Sequence, residues 1–146
     1  MSSIRGSIEI ARPPEIVFDT VADQTNEIRY NAGMTESVKL TDGPLGVGTT
    51  FQSTMGRSRA VLPMITEYTA YERPRRLASR STMSGAVAEG EVRCDPIPGG
   101  TRFSWDWQIS VSGAGRFAGP LIGFIGRRRE RQIWAGLKQM LEEDAP

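Results

Sequence analysis

Histidine is absent from this sequence, cysteine occurs once, and no apolar run is long enough to cross a membrane. The lack of histidine excludes Ser-His-Asp and Cys-His catalysis, and it excludes histidine as a metal ligand. The lone Cys94 excludes an intrachain disulfide and leaves no zinc site. No alternating run of Asp and Asn resembles a calcium loop. We therefore expect no metal and no cofactor, and we expect any binding or activity to be insensitive to EDTA.

An excess of charge of one sign is also lacking. The chain has 18 basic and 17 acidic residues, a net charge of +1, so no overall field favours nucleic acid or an anionic membrane. Its most apolar stretch, residues 117–126, is about half the ~20 residues that a spanning helix needs, and residues 1–10 show no secretory leader pattern. We expect a cytoplasmic protein with no nucleic-acid partner and no stable membrane insertion, and a homodimer stays open.

The composition that remains is that of an ordinary globular domain. The 146 residues are 38% apolar and 24% charged, far from the composition of disordered chains. This length suits a single domain over residues 1–146, which buries roughly two-thirds of the surface of its unfolded chain.

The first thirty residues predict one strand and two short helical segments. Ile4, Ile8 and Ile10 alternate with polar residues, the period of a half-buried strand. Two prolines and an acidic residue then precede apolar residues at helical spacing, which predicts a helix over 13–22. Residues 23–31 are expected to form a second short helix or turn.

The rest of the chain predicts a meander of strands followed by one long helix. Short alternating runs separated by turn residues predict strands at 35–41, 49–56, 59–71, 76–83, 86–94 and 101–111. A helical pattern covers 116–143, and its apolar stripe consists of Ile122, Gly126, Ile133, Leu137 and Met140. One long helix packed on a seven-stranded sheet is an α+β arrangement of two layers.

Short segments along the chain add a resemblance to a known superfamily. They are RPPEIVF at 12–18, GPLGVGT at 43–49, ITEY at 65–68 with PRRL at 74–77, and LK and LE at 137–138 and 141–142. Their order and spacing resemble the helix-grip (SRPBCC) superfamily, which includes START lipid-transfer domains, pollen-allergen-like proteins and bacterial polyketide cyclase/dehydrase-like proteins. The resemblance implies a helix-grip fold, in which a seven-stranded curved antiparallel sheet wraps around the C-terminal helix. It also implies a cavity between sheet and helix for a small hydrophobic ligand.

Strand and helix periodicity nominate the side chains that line such a cavity, except for Tyr30, which the resemblance places near the cavity mouth. The candidate ligand-binding residues are Tyr30, Phe51, Ser53, Met55, Phe103, Trp105, Trp107, Ile122, Ile133 and Leu137. Each large aromatic among them is equally typical of an ordinary core, and no catalytic residue is predicted.

Four further residues near the predicted cavity receive separate interpretations. Asp106 has the outward parity of its strand and is expected to be exposed. Arg129 and Glu130 lie close to the helical stripe, and we favour pairing at the rim over contact with the cavity. Trp134 falls at the edge of the stripe and is expected to report less on the cavity than Trp105 or Trp107.

Three functions remain open at this point. The leading one is binding of a small hydrophobic molecule, which is lipid-like or polyketide-like. The first alternative is a polyketide cyclase/dehydratase-like enzyme. The second alternative is a lipid carrier that docks to membranes through Arg127, Arg128, Arg129 and Arg131, beside the apolar residues Phe117, Leu121, Phe124 and Ile125. A charge run on a helix is more often a solvated face, and we favour that reading of the arginines.

Overall fold

A computed structural model describes residues 2–56, 63–83, 85–112 and 119–144, with the backbone alone for 119–125. The strands are β1 Ser2–Ile10, β2 Met34–Lys39, β3 Thr50–Met55, β4 Met64–Glu72, β5 Arg76–Met83, β6 Ala86–Ile97 and β7 Gly100–Val111. Between β1 and β2 lie helix α1, Pro14–Ala22, and a 3₁₀ helix, Gln24–Arg29, and helix α2, Gly119–Glu143, follows β7. All strands pair antiparallel in one seven-stranded sheet of order β1-β7-β6-β5-β4-β3-β2. The predicted α+β helix-grip fold is confirmed.

The observed strand ends differ from the predicted ones mainly at the β6–β7 hairpin. The sequence predicts a break over residues 96–100, yet β6 runs through Pro96, which pairs with Thr101 on β7. Along the β5 side of β6, the Cys94 N–H donates to the carbonyl oxygen of Arg75, just before β5 begins, at 2.8 Å. Pro96 comes two residues later, where β5 no longer runs beside β6. No neighbouring strand there needs an N–H from Pro96, so the proline is tolerated. The predicted starts at 59 and 116 lie outside the described residues.

Helix α1 forms where the sequence predicts it and closes one end of the sheet. Pro14 occupies the first turn, where its missing N–H is not needed, and Glu15 adds an acidic group there. The inward residues Val17 and Phe18 are buried to 0% and 1% exposure. Asp23 then accepts a hydrogen bond from the Thr25 amide and caps the 3₁₀ helix that leads to β2.

Helix α2 lies against the sheet on a stripe slightly rotated from the predicted one. Its most buried described residues are Trp134, Leu137 and Leu141, at 5%, 0% and 4% exposure, with the spacing i, i+3, i+7 of one helical face. Ile133 and Met140 are partly buried and flank this line. A Cβ at Gly136 would lie 2.5 Å from the Tyr30 carbonyl oxygen, so glycine lets α2 approach the end of the 3₁₀ helix.

Replacing Leu137 by alanine tests how tightly α2 is packed. We expect Leu137→Ala to lower the free energy of unfolding by about 2–5 kcal/mol, because a fully buried leucine leaves a cavity when it is truncated. Urea denaturation measures the change. Gln139→Ala, at an exposed position of the same helix, is the control and should stay within about 0.5 kcal/mol of the parent. A Leu137→Ala loss smaller than that would show that the helix is only loosely docked.

Candidate functional site

The sheet face that meets α2 has an aromatic half and a hydroxyl-bearing half. On β7, Phe103 and Trp105 are 0% and 3% exposed. Across β4 and β5, Thr66 and Ser81 are register partners, and their hydroxyl oxygens lie 2.8 Å apart. Ser53 on β3 is fully buried, and its hydroxyl has no hydrogen-bond partner among the described residues. This face therefore offers apolar contact and, at Ser53, one hydroxyl without a partner among the described residues.

A cleft of about 660 Å³ opens between α2 and the segment that joins the 3₁₀ helix to β2. Tyr30, Asn31 and Gly33 line one side, and Arg129 and Ile133 line the other. The cleft borders the interior, because Tyr30 is only 7% exposed and Ile133 packs against the core.

Glu130 points from α2 toward the sheet and accepts two indole N–H groups. Its Oε2 lies 3.1 Å from Nε1 of Trp107 on β7 and 2.7 Å from Nε1 of Trp134 on α2. Burial raises the pKa of Glu130, while the two indole hydrogen bonds and the nearby Arg129 oppose that rise. The rim pairing expected for Glu130 is wrong, because the carboxylate links the helix to the sheet inside the protein.

Glu27 places a second carboxyl group near the first. Burial raises the pKa of Glu27 to about 7, helped by the charge of Glu130 and opposed by the Asn31 hydrogen bond and by Arg129. Nδ2 of Asn31 donates to Oε2 of Glu27 at 3.0 Å, and Oδ1 of Asn31 accepts from the Gly33 amide at 3.1 Å. Asn31 thus holds Glu27 and the turn before β2 in one arrangement.

Tyr30 contributes a buried phenol to the same region. Its hydroxyl has no hydrogen-bond partner within the described part of the chain, and its ring lies 6.1 Å from that of Trp134, between centroids. Burial raises the pKa of Tyr30 well above its usual value, and the charges of Glu27 and Glu130 act in the same direction. The phenol is therefore neutral at physiological pH and available as a hydrogen-bonding group.

Arg129 lies at the cleft entrance. The residue is exposed, and a Cβ on Gly33 would lie 2.7 Å from its Nη2, so glycine leaves room for the guanidinium. Among the described residues Arg129 forms no ion pair with either carboxylate, although its charge lowers the pKa of both. The expectation that Arg129 lies at the rim agrees with this position.

The predicted ligand-binding residues fall into three groups in the structure. Phe51, Ser53, Phe103, Trp105 and Leu137 are buried on the inner face or on α2, and Tyr30 and Ile133 line the cleft. Met55 and Trp107 are partly buried; Met55 lies beside Gly33. The side chain of Ile122 lies outside the described residues. That these residues bind a ligand stays a prediction.

The sequence does not predict three residues of the candidate site: Glu27, Asn31 and Trp134. Glu27 lies in a short 3₁₀ helix and Asn31 follows it. A helix this short has no apolar periodicity that would predict which side chains point inward. The expectation that Trp134 lies at the edge of the stripe is wrong, since it packs 4.7 Å from Phe103 between ring centroids. The spacing of Trp134, Leu137 and Leu141 is the available signal.

Asp106 on β7 has the outward orientation that strand parity predicts. Its side chain is 45% exposed and pairs with Arg5 at 3.1 Å. Within the described ranges, no three Cys, Asp or Glu side chains come together as a metal site. In the part of the chain that the structure describes, no helix is both long and apolar enough to cross a membrane.

A curved antiparallel sheet that holds a long C-terminal helix against its inner face defines the helix-grip class of domain. The chain matches over residues 1–142 the family described as polyketide cyclase/dehydrase and lipid transport, and it belongs to that family. A relative in Mycobacterium tuberculosis H37Rv, an uncharacterized protein, is 30% identical over 138 residues, which cover 88% of this chain and 80% of the relative.

Solved structures support the same fold. A START superfamily protein from Mycobacterium smegmatis superposes with a TM-score of 0.83 at 14% identity, covering 99% of this chain and 100% of that one. A protein from Thermus thermophilus gives 0.81 at 16% identity, covering 98% and 99%. An aromatase/cyclase from Streptomyces sp. R1128 gives 0.79 at 13% identity, covering 96% and 93%. At these identities the likeness concerns the fold alone.

The raised pKa of Glu27 predicts that stability falls as the pH rises toward neutrality. The folded chain holds the Glu27 proton up to a pKa of about 7, whereas an unfolded chain releases it near a pKa of about 4.3. Between these values the folded state binds more protons, so the free energy of unfolding declines by about 4 kcal/mol in total as the pH rises, and then levels off. Urea denaturation from pH 5 to pH 8 measures the decline.

Glu27→Gln should flatten this decline and make the protein more stable than its parent at pH 8, because the amide cannot ionise. A residual slope from Glu130 should remain, since burial raises that pKa as well. Glu36→Gln, at an exposed position on β2, is the matched control and should keep the parental slope. Parallel curves for the parent and Glu27→Gln would show that Glu27 is not held in the interior.

Proposed function

We propose that this protein binds a small, mainly apolar molecule between the inner face of the sheet and α2, reached through the cleft at Tyr30 and Ile133. The observation that carries the proposal is the Tyr30 hydroxyl, which is buried without a partner among the described residues, at a cleft of about 660 Å³. A buried polar atom normally has a hydrogen-bond partner. A ligand with a polar group supplies one here.

The surroundings of Tyr30 favour an apolar ligand body. Tyr30 lies against Trp134, which packs against both Phe103 and Trp105, with ring centroids 4.7 and 6.2 Å away. Aromatic walls with a few polar groups that fix orientation are typical of small-molecule sites. Membership in a family described by polyketide cyclase/dehydrase and lipid transport supports the same class of ligand.

Binding of decan-1-ol, a neutral amphiphile, tests the proposal. Isothermal titration calorimetry should detect it, and Ile133→Phe should weaken it at least tenfold, because the larger ring occupies the cleft that Ile133 lines. Ile16→Phe is the matched control: Ile16 is 38% exposed on α1, and this variant should bind within twofold of the parent.

Native mass spectrometry of the freshly purified protein is an independent measurement, and it should show a co-purified small molecule that Ile133→Phe lacks. If neither decan-1-ol nor a co-purified molecule binds, the proposed function is wrong. Equal binding by the parent and Ile133→Phe would move the site away from the cleft.

A second candidate, a polyketide cyclase/dehydratase-like enzyme, is favoured by the position of Glu27. A general acid or base works best when its pKa is near the operating pH, and the pKa of Glu27 is about 7 beside the phenol of Tyr30. A poly-β-ketone thioester is the test substrate, with products followed by mass spectrometry. Glu27→Gln should abolish any cyclised or dehydrated product and Glu36→Gln should retain it, and no product from the parent would leave binding as the function.

The lipid-carrier alternative depends on apolar residues beside the arginine run. Arg127, Arg128, Arg129 and Arg131 are exposed in the structure. The side chains of Phe117, Leu121, Phe124 and Ile125 lie outside the described residues. Docking through this region therefore stays a prediction of the sequence.

A further inference from the structure

Two carboxylates adjoin residues that line the cleft, and no basic side chain is paired to them among the described residues: Glu27 accepts a hydrogen bond from Asn31, and Glu130 follows Arg129 on α2. Glu130 uses Oε2 for its two indole donors, and Glu27 uses Oε2 for Asn31. Within the described part of the chain, Oε1 of each has no hydrogen bond, and neither group forms an ion pair. Both residues are only partly buried, and their Oε1 atoms are not among the fully buried polar atoms without a partner. The two oxygens are therefore accessible to a ligand.

The nearest basic group does not neutralise this pair. Arg129 acts on both carboxylates through its charge, but it is exposed at the cleft entrance. Water screens an exposed charge far more than a buried one. Arg129 therefore offsets the two carboxylates only in part, since burial still raises both of their pKa values.

The groups around the two carboxylates are suited to a cation. Tyr30 is only 7% exposed, and its hydroxyl, which has no partner among the described residues, is able to accept a hydrogen bond. Its ring and that of Trp134 lie 6.1 Å apart between centroids, and aromatic faces attract cations. Glu27, Glu130 and Tyr30 lie in one another's field, since each carboxylate raises the pKa of the phenol.

We propose that Glu27 and Glu130 bind the ammonium group of a protonated amine whose apolar body occupies a cavity between the sheet and α2, the space to which the proposed function assigns the ligand. This inference rests on the proposed function and names its ligand class: an amphiphilic amine. A primary ammonium has three N–H donors. The two free Oε1 atoms and the Tyr30 hydroxyl are three acceptors.

The protonation of Glu27 makes this binding dependent on pH. The charged and titratable groups that face Glu27 and Tyr30 are Glu130 and Arg129 from α2, Tyr68 from β4, and Asp23 before the 3₁₀ helix. An alkylamine stays protonated to a pKa of about 10.4, so only the protein titrates near neutrality. Affinity for the amine should therefore fall as the pH decreases below about 7 and Glu27 takes up a proton.

Three decyl compounds that differ in their polar group test the inference: decylamine, decan-1-ol and decanoate. By calorimetry at pH 8, decylamine should bind at least tenfold more tightly than decan-1-ol, and decanoate should bind more weakly than both. At pH 7 decylamine should also release about half a proton from Glu27, seen as a dependence of the heat on the buffer. This last measurement needs no variant.

Glu27→Gln and Glu130→Gln should each weaken decylamine binding at least tenfold and weaken decan-1-ol binding much less, so that the preference for the amine is lost. Glutamine at 130 keeps an oxygen for the two indoles, and circular dichroism and thermal melting confirm that each variant is folded. Asp106→Asn removes a carboxylate from the opposite face of β7, where it pairs with Arg5, and should change nothing.

The outcomes separate this inference from the function on which it rests. Equal affinity for decylamine and decan-1-ol, or a preference for decylamine that survives both glutamine variants, would overturn the amine assignment and leave apolar binding intact. Failure of all three compounds to bind would overturn both. A preference lost only with Asp106→Asn would place the cation outside the cavity and refute the site.

Discussion

The hydrogen bonds that Glu130 accepts from Trp107 and Trp134 connect the two layers of this protein. One indole belongs to β7 and the other to α2, so a single carboxylate joins the helix to the sheet. Hydrogen bonds to a charged acceptor are about twice as strong as neutral ones. The neighbouring apolar contacts, Trp134 on Phe103 and Leu137 in the core, depend on the same placement of the helix.

That placement also creates the site. Gly136 lets α2 approach Tyr30 closely, and this brings Glu130 of α2 near enough to Glu27 and Tyr30 to affect the pKa of both. Glu27 and Glu130 have local hydrogen-bond partners, whereas the Tyr30 hydroxyl has none among the described residues. Together they put two carboxyl groups and a phenol in an otherwise aromatic interior, a composition that helix packing alone does not require. We interpret the polar groups as functional for that reason.

Much of the fold was predictable because its elements have clear periodicity. Alternation along β1 and β7 indicated which face each strand buries, and the prolines and Glu15 marked the start of α1. Prediction was poorer where periodicity is weak, or where a neighbouring element determines the length of a strand or the direction of a side chain. The continuation of β6 through Pro96 depends on where β5 ends, and the inward direction of Trp134 and Glu130 depends on a small rotation of α2 that a stripe of apolar residues does not define.

The sequence by itself determined the order of the elements, the buried parity of the strands, and the exclusion of histidine and paired-cysteine chemistry. These follow from residue types and from spacings within one element. Only the tertiary structure decided that Glu27 and Glu130 both lie near enough to Tyr30 to raise its pKa, and that Arg129 lines the cleft. Glu27 and Glu130 are far apart in the chain, and no local pattern encodes their distance, because it is set by how α2 packs across the sheet and against the 3₁₀ helix.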